Sequence, residues 1–415
     1  MKHRAPARGR AAVGVLLVVA AGAALLWWWL QARSTLAGER VVLAAAGTLP
    51  ASTAVGRFDG SASAPRPPPG PPLSPLGQAE RAEQRALWQG RLERARNALA
   101  AYSAAAQYPH ASRPIEEHPD QLRPFEPIAE ERALRMPGGG SAAPGVRLRT
   151  TQERVFASGL ESNRVTLTLT DDNGRVLPLR VTRAVQKEVT PPGQTARTAE
   201  VALDVNDAGR QGDAVAGDGT LTALMQPGAQ GFGSFAGTVR LEMYLDHAGQ
   251  PGFIYFDLVY SPELAATWLP GVREAAGPGG LDLFVKAQVL LPGRYVVTGR
   301  VDDARGRPLA LVQFNGEVAR GEAEFRLPVF GKLIRDRQPE FPLVLRDVEA
   351  FLLKPDAFPD RVMLPRLAGV QHTSKSYPLA AFSDATWSSE ERDRYLAELG
   401  KDVAEAERKV QQLGP

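Results

Sequence analysis

The chain has 415 residues, no cysteine and a formal charge of +3, which excludes disulfides, thiolate metal centres and cysteine nucleophiles. Lys2, Arg4, Arg8 and Arg10 supply more positive charge than that total, so the remainder is close to neutral. It has no basic excess with which to displace counterions from phosphates, and no nucleic-acid partner is expected.

Those charges precede residues 11–30, AAVGVLLVVAAGAALLWWWL, an apolar run free of charge and proline. A helix of this length spans about 30 Å, the thickness of a hydrocarbon core. The basic leader, residues 1–10, predicts a cytoplasmic tail, so the expectation is a single-pass anchor in a bacterial inner membrane with the body periplasmic or extracytoplasmic. Trp27, Trp28 and Trp29 would meet the bilayer interface, where indole rings are favoured. A cleaved signal peptide is the competing reading, but the run ends in three tryptophans rather than in an A-x-A site.

Residues 31–78 form a spacer that becomes rich in Pro, Gly, Ser and Ala from residue 51, a composition too poor in large apolar side chains to form a core. Over 79–108, Trp88, Leu92, Ala95, Leu99, Tyr102 and Ala106 recur at alternating spacings of four and three, which predicts an amphipathic helix. Residues 109–144 carry repeated prolines that forbid a continuous helix or central strand, and read as an extended strap on a domain surface, with a hinge at Met136–Gly140.

From 145 to 262 the pattern is β. RVTLTLT (164–170), LPLRVTRAVQKEV (177–189), AEVALDV (199–205), GTVRLEMYLD (237–246) and GFIYFDLVY (252–260) are β-branched or aromatic-rich runs, and Asp171–Gly174 and His247–Gln250 between such runs carry turn chemistry. A second block, 263–370, adds LDLFVKAQVLL (281–291), RYVVTGRVDD (294–303), LALVQFNGEV (309–318), EAEFRLPVF (322–330) and FPLVLRDVEAFLL (341–353). The expected fold is mainly β: two consecutive immunoglobulin-like antiparallel β-sandwiches, flanked by helices. Strands do not alternate with helices, which disfavours a parallel nucleotide-binding sheet. In the C-terminal segment, 371–415, Ser388 and Glu391 predict a capping box, and Leu396, Leu399, Val403, Ala406, Val410 and Leu413 a second apolar stripe. The two stripes, Trp88, Leu92, Leu99 and Tyr102 on one side and Leu396, Leu399, Val403 and Val410 on the other, are candidates for packing within the chain, for self-association or for docking a protein partner.

Asp204, Asn206, Asp207, Asp213 and Asp218 interleave with glycines in DVNDAGRQGDAVAGDG (204–219). Alternating Asp and Asn can present hard oxygens to calcium, but the bidentate Glu of an EF-hand is missing. Glycine turns closed by Asp side chains explain the same residues, so no cofactor is expected, with calcium as the alternative. His110, His118 and Asp120 lack a compact metal-ligand spacing, and neither a G-x-S-x-G elbow nor a Walker loop occurs.

The GD…AGDG pattern at 212–219 resembles a loop of bacterial extracellular immunoglobulin-like domains. GRYVVTGRVDDARGRPLALVQFNGEVARGEAEFRLPVFGKLI (293–334) and the strap YPHASRPIEEHPDQ resemble bacterial envelope proteins grouped under choice-of-anchor names, until RDRQPEFPLVL departs from their pattern. That resemblance implies an envelope-anchored sandwich protein and no catalytic residues. The expected function is non-enzymatic binding, adhesion or structural support in the envelope. The alternatives are an accessory subunit of a membrane or secretion complex, and an envelope hydrolase or carbohydrate-binding enzyme subunit.

Overall fold

The computed structural model describes residues 74–135 and 144–414. The apolar run with Trp27, Trp28 and Trp29, the basic tail, the spacer up to residue 73 and the proposed hinge lie outside these residues. Among the described residues no helix is long and apolar enough to cross a membrane.

Helix α1 (Pro75–Ala105) starts four residues before the sequence pattern suggests. Ser74 caps it, its hydroxyl accepting from the Gly77 amide, and Pro75 occupies the first turn, where a missing N–H costs nothing. The strap then supplies β1 (Ser112–Pro114) and two short 3-10 turns. Proline spacing barred a central strand, and β1 is accordingly three residues at a sheet edge.

Next come β2 (Ile128–Ala133), β3 (Val146–Gln152), β4 (Phe156–Ser158), β5 (Asn163–Asp171), β6 (Arg180–Glu188), β7 (Val201–Ala202), β8 (Val205–Asn206), β9 (Thr220–Met225), β10 (Gly237–His247) and β11 (Gln250–Ser261). They form two sheets, ordered β2-β3-β5-β9-β8 and β4-β11-β10-β6-β7. Val165, Leu167 and Leu169 of β5 and Val239, Leu241 and Met243 of β10 meet in one fully buried core. Strict alternation puts these residues on one face, and their burial is what holds the two sheets together. All pairings here are antiparallel except β4 with β11, which is parallel. The β10–β11 hairpin closes through Ala248 and Gly249, both at positive φ, the geometry that suits strand twist.

The chain continues as β12 (Ala266–Gly277), β13 (Gly280–Val289), β14 (Gly293–Asp302), β15 (Pro308–Val318), β16 (Gly321–Phe330), helix α2 (Gly331–Arg337), β17 (Val344–Leu353), β18 (Arg361–Met363) and β19 (Leu367–Thr373). One sheet runs β1-β15-β14-β17-β18 with β19 also on β17, and the other runs β12-β13-β16. Tyr295, Val297, Phe325, Leu327, Leu345 and Val348 fill the second core. Its outermost strand, β1, comes from the strap, so this core is completed by residues that precede the first sandwich in sequence.

Helix α3 (Glu390–Leu413) closes the chain. Its cap is Ser389, whose hydroxyl accepts from the Arg392 amide, while the neighbouring Ser388 hydroxyl donates to Asp393. The cap thus lies one residue after the expected Ser388, and with Arg392 three residues on from Ser389 the expected capping box does not form. α3 runs antiparallel to α1: Tyr102 meets Tyr395 at 5.7 Å between ring centroids, and Arg96 pairs with Glu407 at 2.7 Å. The pair joins the body beside the second core, where the Trp387 amide donates to the Gln107 carbonyl and the Tyr108 hydroxyl to Asp336. Burial, and then that bond to a carboxylate, push the Tyr108 phenol up to about 12.

Candidate functional site

The two helical stripes face each other. Trp88, Leu92, Leu99 and Tyr102 are among the half-buried positions of α1, and Leu396, Leu399, Val403 and Val410 among those of α3, around the buried Ala406. Nothing on α1 is fully buried, as expected of two helices that cover only one side of each other. Both stripes are therefore engaged within one chain.

The aspartate-rich loop is closed by its own backbone. Asp207 accepts from the amides of Gly217, Asp218 and Gly219 at 2.7, 3.2 and 2.9 Å. Asp213 accepts from Gly209 at 2.6 Å and from the Thr222 hydroxyl, Asn206 from Ala208, and Asp218 from Thr220. Gly219 sits at φ +79°, and a Cβ there would press on Val176 at 2.5 Å. Asp204 is exposed beside them. The lone pairs that calcium would need are aimed at N–H donors, and among the described residues no group of three or more His, Asp or Glu side chains is arranged to hold a metal. His110 and His118 belong to a different place, the strap.

The strap roofs a cleft of about 610 Å³ over the outer face of the second sandwich, within the roughly 300–1,000 Å³ typical of ligand sites. Alternation on β14 sends Tyr295 and Val297 into the core and Thr298 and Arg300 outward. Register then lays two rows across the sheet. Thr298 lies directly between Glu349 of β17 and Gln313 of β15, and Arg300 between Arg346 of β17 and Leu311 of β15, with Arg113 of β1 beyond Leu311. Side chains in such a row stand about 5 Å apart.

The arginine row holds the roof down. Arg300 is 9% exposed and donates through Nε and Nη2 to both Asp302 oxygens at 3.0 Å, with its other nitrogen on the Leu122 carbonyl of the strap. Arg346 reinforces Asp302 and Asp347. Arg113 donates to Glu117 and to the carbonyls of Ala105 and Tyr108, tying the strap to the end of α1. A buried guanidinium of this kind is tolerable because every neighbouring charge is matched.

Two members of the other row, Thr298 and Gln313, are left free among the described residues. Among these residues the Thr298 hydroxyl and the Gln313 side-chain amide have no hydrogen-bond partner, nor do the His110 and His118 imidazoles on the strap. The carboxylates around them are occupied: Glu349 by Arg366, Glu117 by Arg113, Asp120 by Gln121, and Asp347 by Arg346 and the Gly369 amide. Sequence reading did not single out Thr298, Gln313 or Glu349. Their signal is a polar residue at an outward position of each strand, which any solvated face would also show.

A second, more apolar groove of about 590 Å³ runs along the junction of the sandwiches, lined by Leu160, Gly228, Tyr260, Leu264, Met363 and Pro365 among others. The junction is tied by the Met363 amide on the Ser158 hydroxyl and by Arg361 lying over Phe156 and Phe351. Burial raises the Glu161 carboxyl here, against the pull of Arg154. Gly228 has no alternative: a Cβ would collide with the Gly159 carbonyl.

No protein-family profile matches the sequence, the choice-of-anchor families included, and no curated protein matches it significantly. A DUF4785-family protein from Legionella pneumophila is similar at 11% identity and a TM-score of 0.37, over 55% of this chain and 57% of that one. Escherichia coli alpha-2-macroglobulin is similar at 11% identity and a TM-score of 0.20, over 52% of this chain and 19% of that one. The E. coli adhesin FdeC is similar at 13% identity and a TM-score of 0.18, over 52% of this chain and 64% of that one. The chain thus spans just over half the length of the Legionella protein.

Proposed function

We propose that this is a single-pass bacterial envelope protein whose two immunoglobulin-like sandwiches form a non-enzymatic binding or structural module outside the cytoplasm. The apolar run at 11–30 with its cationic leader supports the anchor. The observation that carries the reading is the helical hairpin. α1, at 31 residues, is about 46 Å long and connects the segment nearest the anchor to a body that has its own two cores. A paired helix of that length suits a stalk between an anchor and an extracytoplasmic body. The acids of the strap-roofed cleft serve structure: each is bound by an arginine, an amide or a backbone N–H, and none of the arrangements above pairs a free acid with a free base. Adhesion or support through the body's exposed surfaces suits that chemistry better than hydrolysis does.

The experiment is removal of residues 1–31. The truncated chain is expected in the soluble fraction with the thermal transition of the intact body, and the full chain in membranes after carbonate washing. A truncated chain that stays in the membrane pellet, or a full chain that dissolves without detergent, contradicts the proposal.

A further inference from the structure

We propose that the cleft beneath the strap binds a neutral, hydroxyl-bearing ligand of the saccharide class, held by Thr298, Gln313 and His118. The inference deepens the binding-module reading and rests on it.

The argument is one of elimination by chemistry. Charge inside the cleft is matched at all but Asp120, which rests on the neutral Gln121 amide: Arg300 pairs with Asp302, Arg113 with Glu117, Glu349 with Arg366 and Asp347 with Arg346. An anion would find no free guanidinium, and a cation would find one lining carboxylate not paired with an arginine, Asp120, which accepts from the Gln121 side-chain amide. Among the described residues, what remains uncommitted in the cleft is the Thr298 hydroxyl, the Gln313 carboxamide and the imidazoles of His110 and His118, and the hydroxyl and carboxamide both donate and accept. Hydroxyl groups of a sugar have the same dual character and satisfy such partners without carrying charge.

Other ligand classes meet specific obstacles. No phenylalanine, tyrosine or tryptophan lines the cleft, so a nucleobase lacks the large aromatic platform on which single-strand binders stack it. A peptide that adds a strand needs an open sheet edge, but the strands that carry Thr298 and Gln313 are paired at those residues: β14 lies between β15 and β17, and the Gln313 backbone amide donates to the Ala111 carbonyl of the strap. An apolar ligand would bury Thr298 and Gln313 without partners, at the cost of their hydration. Preorganisation favours the site as well. Thr298 and Gln313 are held in register across two paired strands, and the roof carrying His118 is fixed by Leu122 on Arg300 and by Arg113 on α1.

The test is titration calorimetry on the full chain in detergent with N,N′-diacetylchitobiose, cellobiose and maltose as probes, and inorganic phosphate as the charged competitor. The double variant T298V/Q313L changes two outward side chains and leaves both cores untouched. At least one disaccharide should bind, the double variant should weaken it at least tenfold with an unchanged melting midpoint, and phosphate should not compete. Absence of binding by all three sugars, equal binding by the double variant, or displacement by phosphate would each overturn the assignment. Membrane association of the chain is unaffected by any of these outcomes, so the anchored-module reading stands or falls separately.

Discussion

Replacing Leu399 and Val403 of α3 by aspartate probes the hairpin directly. Both face α1 and are half-buried, so each loses about 1 kcal/mol of apolar burial, roughly half the value for a fully buried side chain. Each also sets a carboxylate against the Leu92–Leu99 stripe, at about 1–3 kcal/mol. The total of roughly 4–8 kcal/mol exceeds what a two-helix pair with no fully buried residue on α1 can supply. The helices should separate and fray while the two sandwiches persist, because the strap is still held through Tyr108 on Asp336 and β1 on β15. Hydrogen exchange read by mass spectrometry checks this: peptides from 79–105 and 390–413 should lose protection, and peptides from β5, β10, β14 and β17 should keep it. Unchanged protection in both helices would show that the stripes do not pair. Loss of protection in the sandwich strands would show that the hairpin is part of their folding unit.

Three further predictions follow from individual side chains. Asp207→Ala leaves the amides of Gly217, Asp218 and Gly219 unmatched and should cost about 1–3 kcal/mol in urea unfolding; the wild-type midpoint should be the same with calcium and with excess chelator, and a clear calcium-dependent rise would restore the metal reading. Glu274 accepts from His372, the Lys375 amide and Tyr377; burial pushes its carboxyl up, but those bonds together bring it below the ordinary 4.5. Its contribution is thus present above pH 4.5 and lost as pH falls through the lower folded value, so Glu274→Gln should lower the neutral melting point and flatten the acid limb; identical pH–stability curves would refute this. Ser158→Ala removes the partner of the buried Met363 amide and should destabilise the junction by about 1–3 kcal/mol, read as faster exchange in 361–363; no change there would show that another group serves that amide.

Legibility in the sequence followed the strength of local pattern. The long alternating runs, such as GTVRLEMYLD and GRYVVTGR, became β10 and β14 because a two-residue period with buried β-branched positions has few other solutions. Both helix stripes were readable for the same reason, though not which surface would cover them. Short edge strands were missed: β2 is exposed along its whole length and β4 has three residues, so neither carries a hydrophobic signature. AEVALDV broke into two two-residue strands around the exposed Asp204. The strap was readable as an extended surface segment, but not its destination, since pairing of β1 with β15 joins residues about 200 positions apart. The cleft depends on that distant pairing and on cross-strand register, neither of which leaves a local trace. The aspartate loop shows the reverse case, a conspicuous motif whose side chains are engaged by neighbouring amides.

The placement of the body relative to the membrane is the central claim, and the absence of cysteine makes it directly measurable. Single substitutions Ala5→Cys in the basic tail and Thr195→Cys in an exposed loop of the first sandwich can be treated with a membrane-impermeant maleimide on intact spheroplasts. The account predicts labelling at position 195 in intact spheroplasts and at position 5 only after lysis. Labelling at position 195 only after lysis would contradict it.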